Sequence, residues 1–165
     1  MANTVSVFPN SAIIEKFEVE VEMIEHPKSL AEALDLARLD IKKSCSFDIN
    51  EDNFPLAKLP VHGKRIYYLV SFGQAVTYDE VMRVFNRLKI QPCCAHNALL
   101  FASVYPNVQR KHVFVAPGQL CKTQYCDYQR MLQFTGDSVS RFLFLCANNE
   151  VFDKCYYFLG YEQEE

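Results

Sequence analysis

The fold of this chain is decided by four neighbouring stretches: IYYLVSFG at residues 66–73, TYDEVMRVFNRLK at 77–89, PCCAHNALLFASV at 92–104 and HVFVA at 112–116. The first is apolar at both odd and even positions, which is typical of a central strand covered on both faces. The second opens with a capping box, Thr77 to Glu80, and continues at helical spacing. The third predicts another helix, begun by Pro92, and the fourth predicts a strand.

The flanking sequence adds strands and one more helix. Lys16–Ile24 alternates apolar and acidic residues, which predicts a half-buried strand, and a capping box precedes a predicted helix over Leu30–Ile41. Three later apolar segments predict an antiparallel meander: Tyr128–Phe134, Ser140–Cys146 and Cys155–Tyr161. We therefore predict a single compact α+β domain over residues 1–165, with about three helices on a mostly antiparallel sheet and a C-terminal β-meander. Residues 1–13 and 162–165 are expected to be loose ends.

Charge is distributed unevenly along the chain, whose net charge is −3. Residues 1–60 carry 6 basic and 11 acidic side chains, residues 61–143 carry 10 and 4, and residues 144–165 carry 1 and 5. The sums are −5, +6 and −4. A basic middle can orient a partner, or the acidic ends can neutralise it in the folded state.

Cysteine content and hydropathy indicate a cytoplasmic protein. No export signal is visible at the N-terminus, so the seven cysteines are interpreted as reduced free thiols. Residues 91–109 lack charged side chains, but Pro92, His96 and Asn97 favour a buried helix over a membrane span.

An ordered series of motifs carries a resemblance to known proteins. The motifs are NFP at residues 53–55, YLVSFG at 68–73, ALLFASVYPNVQR at 98–110, VFVAPG at 113–118 and YFLGY at 157–161. Over about residues 29–161 the chain thereby resembles a group of small uncharacterised bacterial proteins. The resemblance implies a shared fold and no particular activity. That group has a C-terminal part rich in Trp and Gly, whereas this chain has no Trp and five Gly.

Cys93 and Cys94 are the candidate nucleophiles of a cysteine-dependent hydrolase or transferase. They precede a predicted helix, whose positive end is expected to lower a thiol pKa. His96 or His112 is the candidate base. The alternative is that one cysteine packs inward and His96 faces water.

Metal and cofactor signatures are weak. Cys121 and Cys126, together with Cys93, Cys94, His96 or His112, offer four zinc ligands at a spacing looser than that of a zinc knuckle. The chain has no Gly-rich phosphate loop, dinucleotide fingerprint or His-Glu-x-x-His motif. We therefore predict no cofactor and no metal.

Basic side chains in the middle of the chain are candidate partner-binding residues. They are Arg83, Arg87, Lys89, Arg110, Lys111, Lys122, Arg130 and Arg141, with Tyr125 and Tyr128 as aromatic neighbours. This set favours a nucleic-acid-binding protein as one alternative, because aromatic rings stack on unpaired bases. No known nucleic-acid-binding motif supports it.

By elimination, the favoured function is non-enzymatic binding of an unidentified protein partner. The expected contact surfaces are the irregular segment Ser44–Gly63 and the segment Pro117–Gln129, since long connections often carry function.

Overall fold

The computed structural model of the chain describes residues 3–6, 12–20, 27–39, 48–55, 64–122 and 127–163. Four helices lie within these residues: α1 (Leu30–Ala37), α2 (Tyr78–Leu88), α3 (Ala95–Val104) and α4 (Pro106–Lys111). The strands are β1 (Asn3–Ser6), β2 (Ile13–Glu20), β3 (Lys64–Ser71), β4 (Val76–Thr77), β5 (Gln91–Pro92), β6 (Val113–Lys122), β7 (Gln129–Gly136), β8 (Arg141–Ala147), β9 (Val151–Phe152) and β10 (Tyr156–Gln163). None of the helices described is long and apolar enough to span a membrane.

Seven strands form one mixed sheet in the order β1-β2-β3-β10-β6-β7-β8, and the short β5 pairs with the end of β10. Among the described strands, β10 and β6 are the parallel pair and the others are antiparallel. Strands β6, β7 and β8 follow one another as a meander. These features confirm the predicted α+β domain with a mostly antiparallel sheet and a C-terminal meander.

The last strand, β10, lies elsewhere than the meander prediction implied. It is inserted between β3 and β6 instead of following β8. Phe158 and Leu159, neighbours on opposite faces, are both fully buried. A strand whose side chains are apolar on both faces fits a central position in a covered sheet better than an edge. The composition of β10 therefore accounts for its position in the sheet.

Helices cover both faces of the sheet. On one face Tyr67 and Leu69 of β3 pack in a core with α1 and α3. On the other face Val70 packs with Val81 and Phe85 of α2. Alternate side chains of a strand point to opposite faces, so β3 contributes to both cores. The basic residues of α2 therefore lie across the sheet from α1 and α3.

Helix boundaries differ from prediction in two places. α1 ends at Ala37, where Arg38 adopts the left-handed conformation with φ 50°. Pro92 belongs to β5 and not to a helix, and α3 begins at Ala95. The break at Tyr105 is followed by α4, a fourth helix begun by Pro106, whose fixed φ and missing N–H suit a first helical position.

The chain ends and the long connection also differ from the expected picture. Within the expected loose start, Asn3–Ser6 pairs with β2, and β10 continues to Gln163. The predicted strand Lys16–Ile24 is observed as Ile13–Glu20, and residues 21–24 lie outside the described residues. Of the segment Ser44–Gly63 the structure describes residues 48–55, where Phe54 is fully buried.

Candidate functional site

Cys93 lies two residues before the start of α3 and is fully buried. Burial, and next the neighbouring Cys94, raises the pKa of the Cys93 thiol well above its usual range. This direction is opposite to the one predicted from the helix end, because desolvation of a thiolate in the core outweighs the dipole. Cys94 is half-buried and occupies the N-cap position without a side-chain capping bond.

The two candidate bases are not joined to these thiols. No hydrogen bond among the described residues links Cys93 or Cys94 to His96 or His112. His96 is buried, contrary to the expectation that it faces water, and neither ring nitrogen has a hydrogen-bond partner in the described part of the chain. His112 packs against Tyr157, with 4.4 Å between ring centroids.

A buried polar cluster, defined as Arg65, Tyr67, Asn97 and Tyr161, surrounds the start of α3. Arg65 is 1% exposed, and its Nη1 donates to Asn97 Oδ1 at 2.9 Å. Burial raises the pKa of the Tyr67 and Tyr161 phenols, and the Arg65 cation opposes both shifts. Sequence reasoning missed this cluster, because Arg65 occupies a strand position that is usually apolar.

The start of α3 is fixed from outside the helix. The pairing of β6 with β7 shifts register between Ala116 and Cys121, and Gln119 lies in this irregular part. Gln119 Oε1 accepts the Ala95 N–H at 3.1 Å, and Gly118 donates to the Cys93 carbonyl at 2.9 Å. The segment Pro117–Gln129, as far as it is described, therefore has a structural role at the start of α3.

The proposed zinc ligands do not form a described site. Cys121 is buried, and burial raises the pKa of its thiol. Cys126 lies outside the described residues. In the described ranges, no group of three or more His, Cys, Asp or Glu side chains is placed to hold a metal ion.

An open depression of about 580 Å³, here called the arginine groove, lies between the ends of α1 and α3, the start of α4 and the turn before β8. It is lined by Leu36, Arg38, Ser103, Pro106, Arg110, Val139, Ser140 and Arg141. None of these lining residues, all of them described, is acidic. Asp137 lies two residues before Val139 and is not one of the lining residues; its Oδ1 accepts the N–H groups of Val139 and Ser140, both at 2.7 Å.

Arg141 anchors this groove. It is 8% exposed, and its Nη1 donates to Ala102 O at 2.9 Å. Its Nη2 donates to the carbonyls of Ala37 and Arg38. These are carbonyls at the C-terminal ends of α3 and α1, which lack intrahelical donors and carry partial negative charge. Arg141 therefore caps two helices at once.

The groove concentrates positive charge. Burial lowers the pKa of the Arg141 guanidinium, and the nearby cations of Arg110 and Arg38 lower it further. Arg38 and Arg110 are exposed and form no ion pair with another described residue. Two further cations therefore lie near Arg141, and like charges at short range repel each other.

The other predicted basic residues lie apart from this groove. Arg83 and Arg87 are exposed on α2, across the sheet. Lys122 ends β6, and Arg130 stacks over the Tyr128 ring at 5.8 Å from its centroid. Lys89 follows α2, Lys111 ends α4, and Tyr125 lies outside the described residues.

The groove thus unites Arg110 and Arg141, which the sequence analysis named, with Arg38, which it did not. Arg38 was missed because the sequence predicted that the helix continues to Ile41, whereas α1 ends at Ala37. No family model, curated protein or solved structure matches this chain.

Proposed function

We propose that this chain is a non-enzymatic binding protein that receives an acidic side chain of a protein partner in the arginine groove. The observation that supports it is the convergence of Arg38, Arg110 and Arg141 on one open depression whose described lining has no acid. An arginine fork matches the geometry of a carboxylate, and a charge-assisted hydrogen bond is stronger than a neutral one.

Apolar walls favour a protein over a nucleic acid as the partner. Leu36 and Val139 line the groove and are 41% and 81% exposed. Protein interfaces commonly combine arginine with apolar anchors that exclude water around the charge. Nucleic-acid binding usually needs a basic stripe with stacking rings, whereas Arg83 and Arg87 lie on the opposite face of the sheet and no aromatic residue lines the groove.

A cysteine enzyme has less support. Its candidate nucleophile, Cys93, is buried with a raised pKa, so the reactive thiolate is disfavoured. Exposed Cys155 is expected to alkylate before Cys93 in the folded chain. Peptide mapping after brief alkylation checks this order, and rapid selective labelling of Cys93 or Cys94 would revive the enzyme hypothesis.

The proposal is tested with two synthetic probes: a labelled seven-residue peptide with one glutamate among leucines, and a single-stranded DNA 12-mer. Arg38→Gln/Arg110→Gln is compared with the matched double variant Arg83→Gln/Arg87→Gln, which also removes two exposed arginines. We expect the peptide to bind the wild type and to lose about tenfold or more in affinity with the groove variant only. A partner of the other class is indicated if the DNA binds more tightly and depends on Arg83 and Arg87.

Amide chemical shifts locate the contact independently of affinity. The peptide is expected to move the resonances of Ser103, Arg110 and Ser140, which line the groove. Shifts confined to α2, or no binding of the acidic peptide at all, would overturn the proposal.

A further inference from the structure

We propose that the arginine groove is built for a phosphoryl group, carried on a phosphorylated serine or threonine of the partner, in preference to a carboxylate. This inference rests on the proposed function and names the chemical class of its ligand. It follows from the number of the arginines, their place in the fold and the support of Arg141, which together exceed what a single carboxylate needs.

The three guanidinium groups come from three separate elements. Arg38 follows α1, Arg110 is on α4 and Arg141 begins β8. A carboxylate is planar, has two oxygens and carries one charge, so one arginine fork satisfies it. A phosphoryl group presents three tetrahedrally arranged oxygens and carries roughly −1.5 to −2 charges at neutral pH. Three guanidinium groups carried by three separate elements suit the second group better than the first.

Charge balance points in the same direction. Three cations line the groove, and its described lining offers no carboxylate to offset them. A carboxylate would leave an excess of about two positive charges, whereas a phosphoryl dianion leaves about one. The repulsion of Arg141 by Arg110 and Arg38 is therefore relieved more fully by a dianion.

The Arg141 cation is fixed in place before any ligand arrives. Arg141 is held by the carbonyls of Ala102, Ala37 and Arg38, so its side chain is already ordered. Binding then loses little side-chain entropy at this position. Exposed Arg38 and Arg110 complete the cluster, and arginine clusters are a recurrent means of phosphopeptide recognition.

The apolar rim indicates that the phosphoryl group arrives on a polypeptide. Leu36 and Val139 are exposed beside the arginines, and both line the same groove. The groove volume of about 580 Å³ is within the range of roughly 300–1,000 Å³ found for small-ligand sites, so a side chain and its neighbours fit. Free phosphate would leave these apolar side chains without contact.

The test uses three matched peptides that differ only at the central residue, which is serine, glutamate or phosphoserine, together with inorganic phosphate alone. Affinities for the full chain are measured by titration calorimetry at low salt. We expect the phosphoserine peptide to bind about tenfold or more tightly than the glutamate peptide. The serine peptide and inorganic phosphate are expected to bind much more weakly.

Two controls assign the preference to the groove. Arg38→Gln/Arg110→Gln should abolish the difference between phosphoserine and glutamate, while Arg83→Gln/Arg87→Gln should retain it. Affinity for the phosphoserine peptide should also fall as pH drops through about 6, where the phosphoryl group gains its second proton. The glutamate peptide should show no such step, since its carboxyl titrates at about 4.3.

Each remaining outcome counts against a different statement. Equal affinity for glutamate and phosphoserine overturns this inference and leaves the proposed function standing. Binding of inorganic phosphate as tightly as the phosphopeptide overturns the polypeptide source, because the flanking residues would then contribute nothing. If no acidic peptide binds, both the inference and the proposed function are wrong.

Discussion

Arg65 and Arg141 are two buried arginines that contact the opposite ends of α3. Arg65 donates to Asn97 in the first turn, and Arg141 donates to the carbonyl of Ala102 near the last. Their exposures are similar, 1% and 8%. Their surroundings differ, because the partners of Arg65 include Asn97 and the Tyr67 phenol in the core, whereas Arg141 lines an open groove with Arg38 and Arg110 beside it.

The comparison shows that a buried cation does not by itself indicate a binding site. A single arginine with a polar acceptor at the start of α3 has a structural role, since a buried charge must be hydrogen-bonded. At the end of α3, Arg110 and Arg38 lie near Arg141 and lower its pKa, and the proposed anion site rests on this arrangement. The charge of the neighbours and the access to solvent distinguish the two ends.

The largest effect is expected from Arg65→Ala. The change leaves a cavity and removes a donor from buried Asn97 Oδ1, which together should lower the free energy of unfolding by about 3–5 kcal/mol. Urea unfolding followed by circular dichroism measures it.

Arg65→Met is the companion variant, because it fills most of the volume and is expected to fold if Arg65→Ala does not. It should lower stability by about 1–3 kcal/mol, since Asn97 still loses its donor. Its phosphopeptide affinity should equal that of the wild type. A loss of affinity in this variant would break the distinction between the two ends of α3.

Arg141→Gln should have an intermediate effect on stability and a strong effect on binding. The variant loses charge-assisted hydrogen bonds to the ends of α1 and α3, and we expect a loss of about 1.5–3 kcal/mol in unfolding free energy. Arg141→Lys keeps the charge but loses the two-pronged guanidinium group. Its unfolding free energy and its peptide affinity should therefore lie between those of the wild type and of Arg141→Gln. Unchanged stability in both variants would show that Arg141 does not cap the helices.

The pH dependence of stability should come from the start of α3. Burial lowers the pKa of His96 below the ordinary histidine value of about 6.5, and the Glu51 carboxylate partly opposes this. The unfolded chain therefore binds a proton that the folded chain resists. Stability is full above about pH 6.5 and declines below it, by at most about 1.4 kcal/mol per pH unit. Unfolding measured at several pH values checks this.

A matched pair of variants identifies the group that causes this pH dependence of stability. His96→Gln should remove most of it between pH 6.5 and 5, while His112→Gln should retain it. A slope that persists in His96→Gln would assign the titration to another group.

Much of the fold was predictable because its signals are local. The capping box of Thr77 and Glu80 is present, with Thr77 Oγ1 accepting the Glu80 N–H. The two-sided apolar pattern of β3 correctly predicted a central strand. The place of β10 was not predicted, since strand order depends on contacts between distant segments. The end of α1 was not predicted either, because it is set by the left-handed backbone conformation of a single residue, Arg38.

The site was less predictable than the fold. Arg110 and Arg141 were named for their charge, but their union with Arg38 requires α1, α4 and β8 to meet, which no local pattern encodes. The prediction for Cys93 relied on the helix end alone and ignored burial, which only tertiary packing supplies. The alternative to a cysteine enzyme placed His96 toward water, yet α3 is buried from Ala95 to Ala102.

The smallest effect has the opposite sign and separates the two ends of α3 most cleanly. Arg38→Gln/Arg110→Gln removes two exposed cations that lower the pKa of Arg141, so repulsion in the free protein should fall. We expect a gain of up to about 0.5 kcal/mol in unfolding free energy at low salt. The gain should shrink as salt rises above about 0.1 M, where the screening length is about 10 Å. The matched variant Arg83→Gln/Arg87→Gln should show no such gain.

If the groove variant instead loses stability as the Arg65 variants do, Arg38 and Arg110 support the fold, and the groove cannot be assigned to ligand binding on charge alone.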